Sequence, residues 1–330
     1  MYEKDWLFEE IDTTIDAFER VLRSVGIEIK SGSHLEHGCL VLKDLHSRYV
    51  EFTQTQRLRP WPTMHVDTPL AAGILNLAAL IVDRQGHPDF PAIVPHLALL
   101  NDGMPAQTVR ADRADDASNK IFELRLALAC LRSGTGLRMD DPVGSSGGTN
   151  PDILCRMSDG RIWGFACKVI HGQSPITAFE RLSEAVHQIE RSPAEVGIPV
   201  LSFKNRLPYN KIMPVRMPAG SDPVIEPHHS EQQVIDITSE AIREFVREMA
   251  VTVTDRELDT LLRGKKALTA VASPIDCAAL IAGMPVPILG LFNYLRIVEL
   301  NHLKLAQRFN HRAQKVADDI NVGLARRGTG

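Results

Sequence analysis

Apolar residues recur at helical spacing through the first hundred positions. Ile11, Ile15, Phe18, Val21, Leu22 and Val25 fall on one stripe, which predicts a helix over 9–25. Residues 35–52 and 70–82 repeat the pattern, and 91–100 reads as a short helix stopped by Asn101-Asp102-Gly103. A longer helix is predicted over 111–132, ended by Ser133-Gly134. The period then shortens. Residues 136–139, 152–157 and 161–170 read as strands, the last two joined by the turn signal Ser158-Asp159-Gly160. Pro175 opens a helix that runs to residue 191, and 198–203 is a further strand. The Pro-rich, polar stretch 205–232 reads as a linker. Helices are predicted again over 239–250, 255–263, 274–282 and 288–322, the second opened by a capping box of Thr254 and Glu257.

This pattern divides the chain into a helical region at 1–110, a mixed α/β core at 111–217 and a C-terminal helical region at 218–330. The order helix, strand, hairpin, helix, strand in the middle predicts an α/β sandwich with a mixed sheet. Charge narrows the function classes. With 37 basic and 41 acidic residues the net charge is −4, so a nucleic-acid surface has to be a local patch. The five cysteines are odd in number, widely spaced and free of any Cys-x-x-Cys pair, which argues for reduced, buried thiols. The opening residues Met1 to Trp6 lack a basic segment followed by an apolar run. The longest uncharged stretch, between Asp276 and Arg296, is broken by Gly283, Pro285, Pro287 and Gly290, so it does not read as a spanning helix. The expectation is a cytoplasmic protein without a membrane partner.

The chemistry-bearing residues concentrate in the middle. Glu123 lies on the long helix, Asp152 follows Pro151 where a strand begins, and Lys168 comes sixteen residues later on the next strand. Strand alternation puts Gly164, Ala166 and Lys168 on one face and Phe165, Cys167 and Val169 on the other. The stretches Asn119-Lys120-Ile121-Phe122-Glu123-Leu124, Asn150-Pro151-Asp152-Ile153-Leu154 and Gly164-Phe165-Ala166-Cys167-Lys168 resemble the PD-(D/E)XK nuclease superfamily. The resemblance covers about residues 112 to 205, under a third of the chain. It implies a restriction-endonuclease-like mixed sheet flanked by helical regions, and a Mg²⁺- or Mn²⁺-dependent DNA endonuclease of a restriction or phage-defence kind. It further implies Asp152 as the central metal ligand, Glu123 as a second ligand directly or through water, and Lys168 orienting or deprotonating the attacking water. Such chemistry needs a hard cation that polarises a phosphate oxygen and activates water. Mg²⁺ keeps several waters, so one or two carboxylates suffice.

The chain departs from the family at Ala166, where Asp or Glu is usual two residues before the lysine. A displaced acid, a reduced site, or loss of catalysis all remain open. Glu180 and Glu184 lie near the far side of the stripe Phe179, Leu182, Val186, Ile189, which argues against both as replacements. Gln188 and Glu190 flank that stripe more closely, and Gln188 resembles the helical glutamine that some branches use beside the metal. The alternative is a catalytically inactive protein of this fold that binds nucleic acid or regulates; a helical interaction protein with an accidental motif is a third reading.

Lys204, Arg206, Lys211 and Arg216 form a run without an acid that suits DNA or RNA phosphates, with Tyr209 able to stack. A second basic series is Lys304, Arg308, His311, Arg312 and Lys315, followed by Arg326 and Arg327. The helical regions are expected to pair two copies or to hold a partner protein. No His-Glu-x-x-His or Rossmann fingerprint occurs. Gly144 to Gly148 lacks the following Lys-Ser/Thr of a nucleotide loop and reads as a flexible approach to the site. Cys167 has His171 and His187 within reach in sequence, but an inward strand cysteine is read as core.

Overall fold

The computed structural model describes residues 11–55, 61–109, 115–143, 150–283, 288–300 and 311–324. The N-terminal third is helical, as its periodicity predicts: α1 (Ile11–Ser24), α2 (His34–Thr55), α3 (Met64–Arg84), then a run of 3-10 turns around α4 (Val94–Leu97). α5 (Asp116–Ser133) begins where Asp115 accepts hydrogen bonds from the Ala117 and Ser118 backbone N–H groups at 3.0 and 3.2 Å. It leads into strands β1 (Thr135–Met139), β2 (Ile153–Arg156) and β3 (Ile162–Val169). The β2–β3 turn is the expected one. Gly160 takes φ +80°, a conformation that costs glycine little, and Asp159 accepts from the Arg161 N–H at 3.0 Å. α6 (Pro175–Arg191), capped by Ser174, crosses over to β4 (Val196–Ser202), which pairs parallel to β3.

The stretch read as a linker contains ordered elements: α7 (Tyr209–Ile212) and the small ladder β5 (Val215–Arg216) with β6 (Val224–Ile225). α8 (Glu231–Thr252) and α9 (Asp255–Leu262) follow, and the Thr254–Glu257 capping box forms as predicted. Residues 274–282 and 288–299 correct the sequence reading. They belong to two strands, β7 (Ala270–Ile281) and β8 (Ile288–Glu299), before α10 (His311–Leu324) closes the described chain. β7 is buried over most of its length and no described position of β8 is fully exposed, so the polar alternation that marks a strand is missing from their sequence.

The sheet runs β1-β2-β3-β4-β7-β8, antiparallel except for the parallel pairs β3–β4 and β4–β7. Helices cover both faces, giving the mixed α/β sandwich anticipated. One face presents Ile153, Trp163, Phe165, Cys167, Ile198 and Val200 to a core shared with α1, α2, α3, α5 and α10. The other presents Ala166, Leu201, Val271 and Cys277 to a core shared with α6 and α8. Burying one of the large apolar side chains stabilises the fold by about 1.5–3 kcal/mol. All five cysteines are buried and unpaired to one another, in line with the sequence reading. α3 is long and apolar enough to cross a membrane, but 67% of its apolar window is buried inside the protein, the environment of a core helix.

Candidate active site

α5 is enclosed almost all round from Ile121 to Leu131, so its one acid in that span, Glu123, is carried into the interior and left 4% exposed. A carboxylate there needs a partner. Lys120, one turn earlier on the same helix face, supplies it, with Nζ 2.9 and 3.0 Å from the two Glu123 oxygens. His96 on the short α4 brings Nε2 to 3.4 Å from Glu123 Oε2, within ion-pair range but not aligned for a hydrogen bond.

Asp152 arrives from the sheet. The β2–β3 ladder pairs Ile153 with Phe165 and Cys155 with Trp163, and the Cys167 N–H is the donor due next on that edge. It finds the Asp152 carboxylate instead of a backbone carbonyl, at 2.6 Å to Oδ2. The side chain therefore extends the ladder where β2 begins, in the plane between the two faces. From there its Oδ1 lies 3.8 Å from Lys120 Nζ. Burial pushes the Asp152 carboxyl up to about 7, and the nearby Glu123 charge adds to that; Lys168, the Cys167 N–H and Lys120 pull the other way. Burial works against the Lys120 ammonium, yet Glu123 and Asp152 outweigh it and hold its pKa above the ordinary lysine value. Lys168 is half-buried, close enough to act on the Asp152 charge, and makes no hydrogen bond or ion pair to a described residue.

Glu123 and Asp152 thus come together from α5 and the start of β2, while Lys168 acts on the Asp152 charge from the end of β3, on the strand face that carries Ala166. Two neighbours went unnoticed in the sequence. Lys120 stands three residues before Glu123, a spacing that places both on one helix face and was available as a signal. His96 comes from a distant turn, and no local pattern points to it.

Other candidates are placed elsewhere. Gln188 is buried on α6, with Oε1 lacking a hydrogen-bond partner, and the sheet separates that helix from Glu123 on α5. It does not join the pair. Glu190 accepts from the Lys266 and Ala267 N–H groups at 2.6 and 3.1 Å, which ties α6 to the segment before β7. Glu184 pairs with Arg181 on the surface. Ala166 does alternate with Cys167, but it is fully buried in the core beneath α6, on the opposite side from the acid-bearing helix. The family's usual acid, placed at this position, would therefore enter that core and not join Glu123. Cys167 is core, as expected, and burial raises its thiol pKa well above the usual value.

The basic run is also revised. Lys204 is not a surface cation. It is 4% exposed, donates to Gln107 Oε1 at 3.0 Å, and burial lowers its pKa to about 8. Arg206 stacks over Phe245 with its Cζ 4.2 Å from the ring centroid and lies 3.3 Å from Glu248. Lys211 is exposed, and Arg216 sits 3.6 Å from Glu226 at the surface. Arg206 also donates to the Gln173 carbonyl at 3.3 Å, which keeps it at the Lys168 end of β3. His171, at that same end, lies 3.3 Å from Asn119 and 3.2 Å from Asn205. On α10, His311, Arg312 and Lys315 line a groove with Arg161 at the Ser158-Asp159-Gly160 turn, the end of the hairpin away from Asp152. Gly144 to Gly148, Lys304, Arg308, Arg326 and Arg327 lie outside the described residues.

Comparison with protein-family models, with curated proteins and with solved structures finds no match. Among the described residues no group of three or more His, Cys, Asp and Glu side chains is arranged to hold a metal ion. The donor set is two carboxylates, buried at 4% and 5% exposure. Glu123 lies close enough to raise the Asp152 pKa, and two such acids call for positive charge beside them. That fits a hard divalent cation keeping most of its water, and does not fit a zinc-type site closed by protein ligands.

Proposed function

We propose that this chain is a Mg²⁺- or Mn²⁺-dependent nuclease acting on DNA, of the PD-(D/E)XK kind that the sequence resembles, working in the cytoplasm as a restriction or phage-defence protein. The observation that carries the reading is the meeting of buried Glu123 and Asp152 between α5 and the start of β2, with Lys168, which has no ion pair to a described residue, acting on the Asp152 charge from the end of β3. Asp152 would hold the cation, oriented by the Cys167 N–H, with Glu123 as the second carboxylate. A divalent ion bound there supplies Lewis-acid activation of a phosphate oxygen and of water. Lys168 would orient that water and balance charge developing on the phosphate. Arg206 and His171, at the same end of β3, would face the nucleic-acid backbone. RNA is the other nucleic acid this chemistry would accept.

A second reading is favoured by Ala166 and Lys120. With no carboxylate at 166 and an ammonium already between the acids, the chain would keep the fold and bind nucleic acid without cutting it. In either reading the helical regions would pair two copies or hold a partner protein. Plasmid incubated with Mg²⁺ or Mn²⁺ should be nicked, EDTA should stop it, and Lys168→Ala should abolish it. Intact plasmid with wild-type protein at every metal concentration would leave only the binding reading.

A further inference from the structure

Glu123 and Asp152 are both buried, yet neither is without a cation. The Lys120 ammonium lies 2.9 Å from Glu123 Oε1, 3.0 Å from Oε2 and 3.8 Å from Asp152 Oδ1, so it bridges the two acids from which a metal site would be made. We infer that Lys120 and a divalent cation compete for this one place, so that metal enters the site by exchange with the ammonium. The inference rests on the metal-site reading of Glu123 and Asp152 given above.

Charge and geometry both argue for exclusion. Two carboxylates in a low-dielectric interior need compensation, and one ammonium offsets one of the two charges. A divalent ion offsets both, but an ammonium held within contact distance of it would be repelled. The two cations therefore do not share the space. The exposure gradient says which way the ammonium leaves. The Lys120 side chain is 18% exposed, against 6% for Glu123 and 7% for Asp152, so it lies on the solvent side of both acids. Its long stem can keep contact with the protein while the charged head swings into water. Lys168 is different: it has no ion pair to a described residue and is not tied to either acid. One lysine holds the metal's place, and the other stays available for substrate.

The test is Mn²⁺ binding by calorimetry to wild type, Lys120→Met and Lys120→Arg. Lys120→Met should bind Mn²⁺ roughly ten- to a hundredfold more tightly, because no ammonium has to be displaced, while Lys120→Arg keeps a competing charge and stays near wild type. A Lys120→Met that binds no tighter than a metal-binding wild type overturns the exchange and leaves the metal site standing. Metal binding to Lys120→Met but not to wild type supports the competition and removes the nuclease reading. No binding to either overturns both. Should Lys120→Met fail to fold, amine reactivity in the wild type decides. Reductive methylation of Lys120, followed by mass spectrometry with exposed Lys211 as reference, should rise several-fold on adding Mn²⁺. Unchanged or reduced labelling of Lys120 at saturating Mn²⁺ overturns the inference.

Discussion

The Cys167 backbone N–H donates to Asp152 Oδ2 at 2.6 Å, so the strand that carries Lys168 also fixes the carboxylate on whose charge Lys168 acts. One hydrogen bond sets the relation between the two sequence signals. Asp152→Asn keeps an acceptor for that N–H and should fold, whereas Asp152→Ala leaves a buried donor unpaired. The alanine variant should lose about 1–3 kcal/mol in denaturant unfolding and the asparagine variant much less. Both should lose metal-dependent nicking by about a hundredfold or more, since neither retains the charged ligand. Equal stability of the two variants would mean that the N–H finds another partner.

The same carboxylate makes stability depend on pH. Its pKa, raised from 3.8 to about 7 by burial and by Glu123, means that the folded protein binds a proton that the unfolded chain has already lost. Its stabilising contribution is complete below about 4 and is lost as pH rises to about 7. Lys204 acts in the other direction. Burial lowers its pKa from 10.5 to about 8, so its contribution is present above 10.5 and lost as pH falls to 8. Metal-free protein should therefore melt at a higher temperature at pH 5.5 than at pH 7.5 on account of Asp152. Asp152→Asn should flatten that difference, and Mn²⁺ should stabilise chiefly above pH 7, where the carboxylate is ionised. A melting temperature independent of metal at pH 8 would count against cation binding here.

Ala166 shows where sequence and structure part. Alternation correctly separates Ala166 from Phe165 and Cys167, but a period of two cannot say which helix covers which face. Glu123 reaches Asp152 from the α5 side, while Ala166 lies under α6 with Leu182 and Ala185 in the same core. Ala166→Glu would bury a charge in that core and crowd it, and should cost several kcal/mol with no gain in Mn²⁺ affinity. Tighter Mn²⁺ binding by this variant would restore position 166 to the site.

Legibility followed the locality of the signal. The β2–β3 hairpin and the Thr254 cap were readable because their chemistry is confined to a few neighbouring residues. The positions of Glu123 and Asp152 were readable because each begins or belongs to an element with a clear period. β7 and β8 were not. Pro274, Ala278 and Ala279 in β7, and the apolar run in β8, gave no alternation to set them apart from buried helix. Lys204 was misplaced for a related reason: its partner Gln107 lies ninety-seven residues away, and no local pattern reveals it.

Withdrawing Lys204 from the basic surface changes the expected response to charge reversal. Arg206→Glu acts at the Lys168 end of β3 and should weaken DNA binding uniformly across sequences, lowering the salt slope by about one unit. Lys211→Glu and Arg216→Glu, further along the chain, should have smaller effects. Fluorescence anisotropy over a salt series with an unrelated duplex distinguishes these. An unchanged slope for Arg206→Glu would take that residue off the nucleic-acid surface.

Asp276, at the start of the long uncharged stretch, marks a second buried polar group. It lies on β7 with Oδ2 2.8 Å from Arg125 Nη2 on α5, and both side chains are almost fully enclosed. Lys204 acts on the same charge. Arg125 stands two residues from Glu123, so this pair fixes the helix that carries the acid to the strand in front of it. Asp276→Ala would leave the Arg125 guanidinium buried without its anion and should cost about 3–5 kcal/mol. Replacing both partners, as Arg125→Met with Asp276→Leu, removes the stranded charge and should recover most of that loss, though Lys204 would still lack its acid. If α5 shifts in the single variant, Mn²⁺ affinity should fall with stability and return in the double variant. A double variant no more stable than Asp276→Ala would show that the pair holds α5 through its specific geometry and not through charge balance alone.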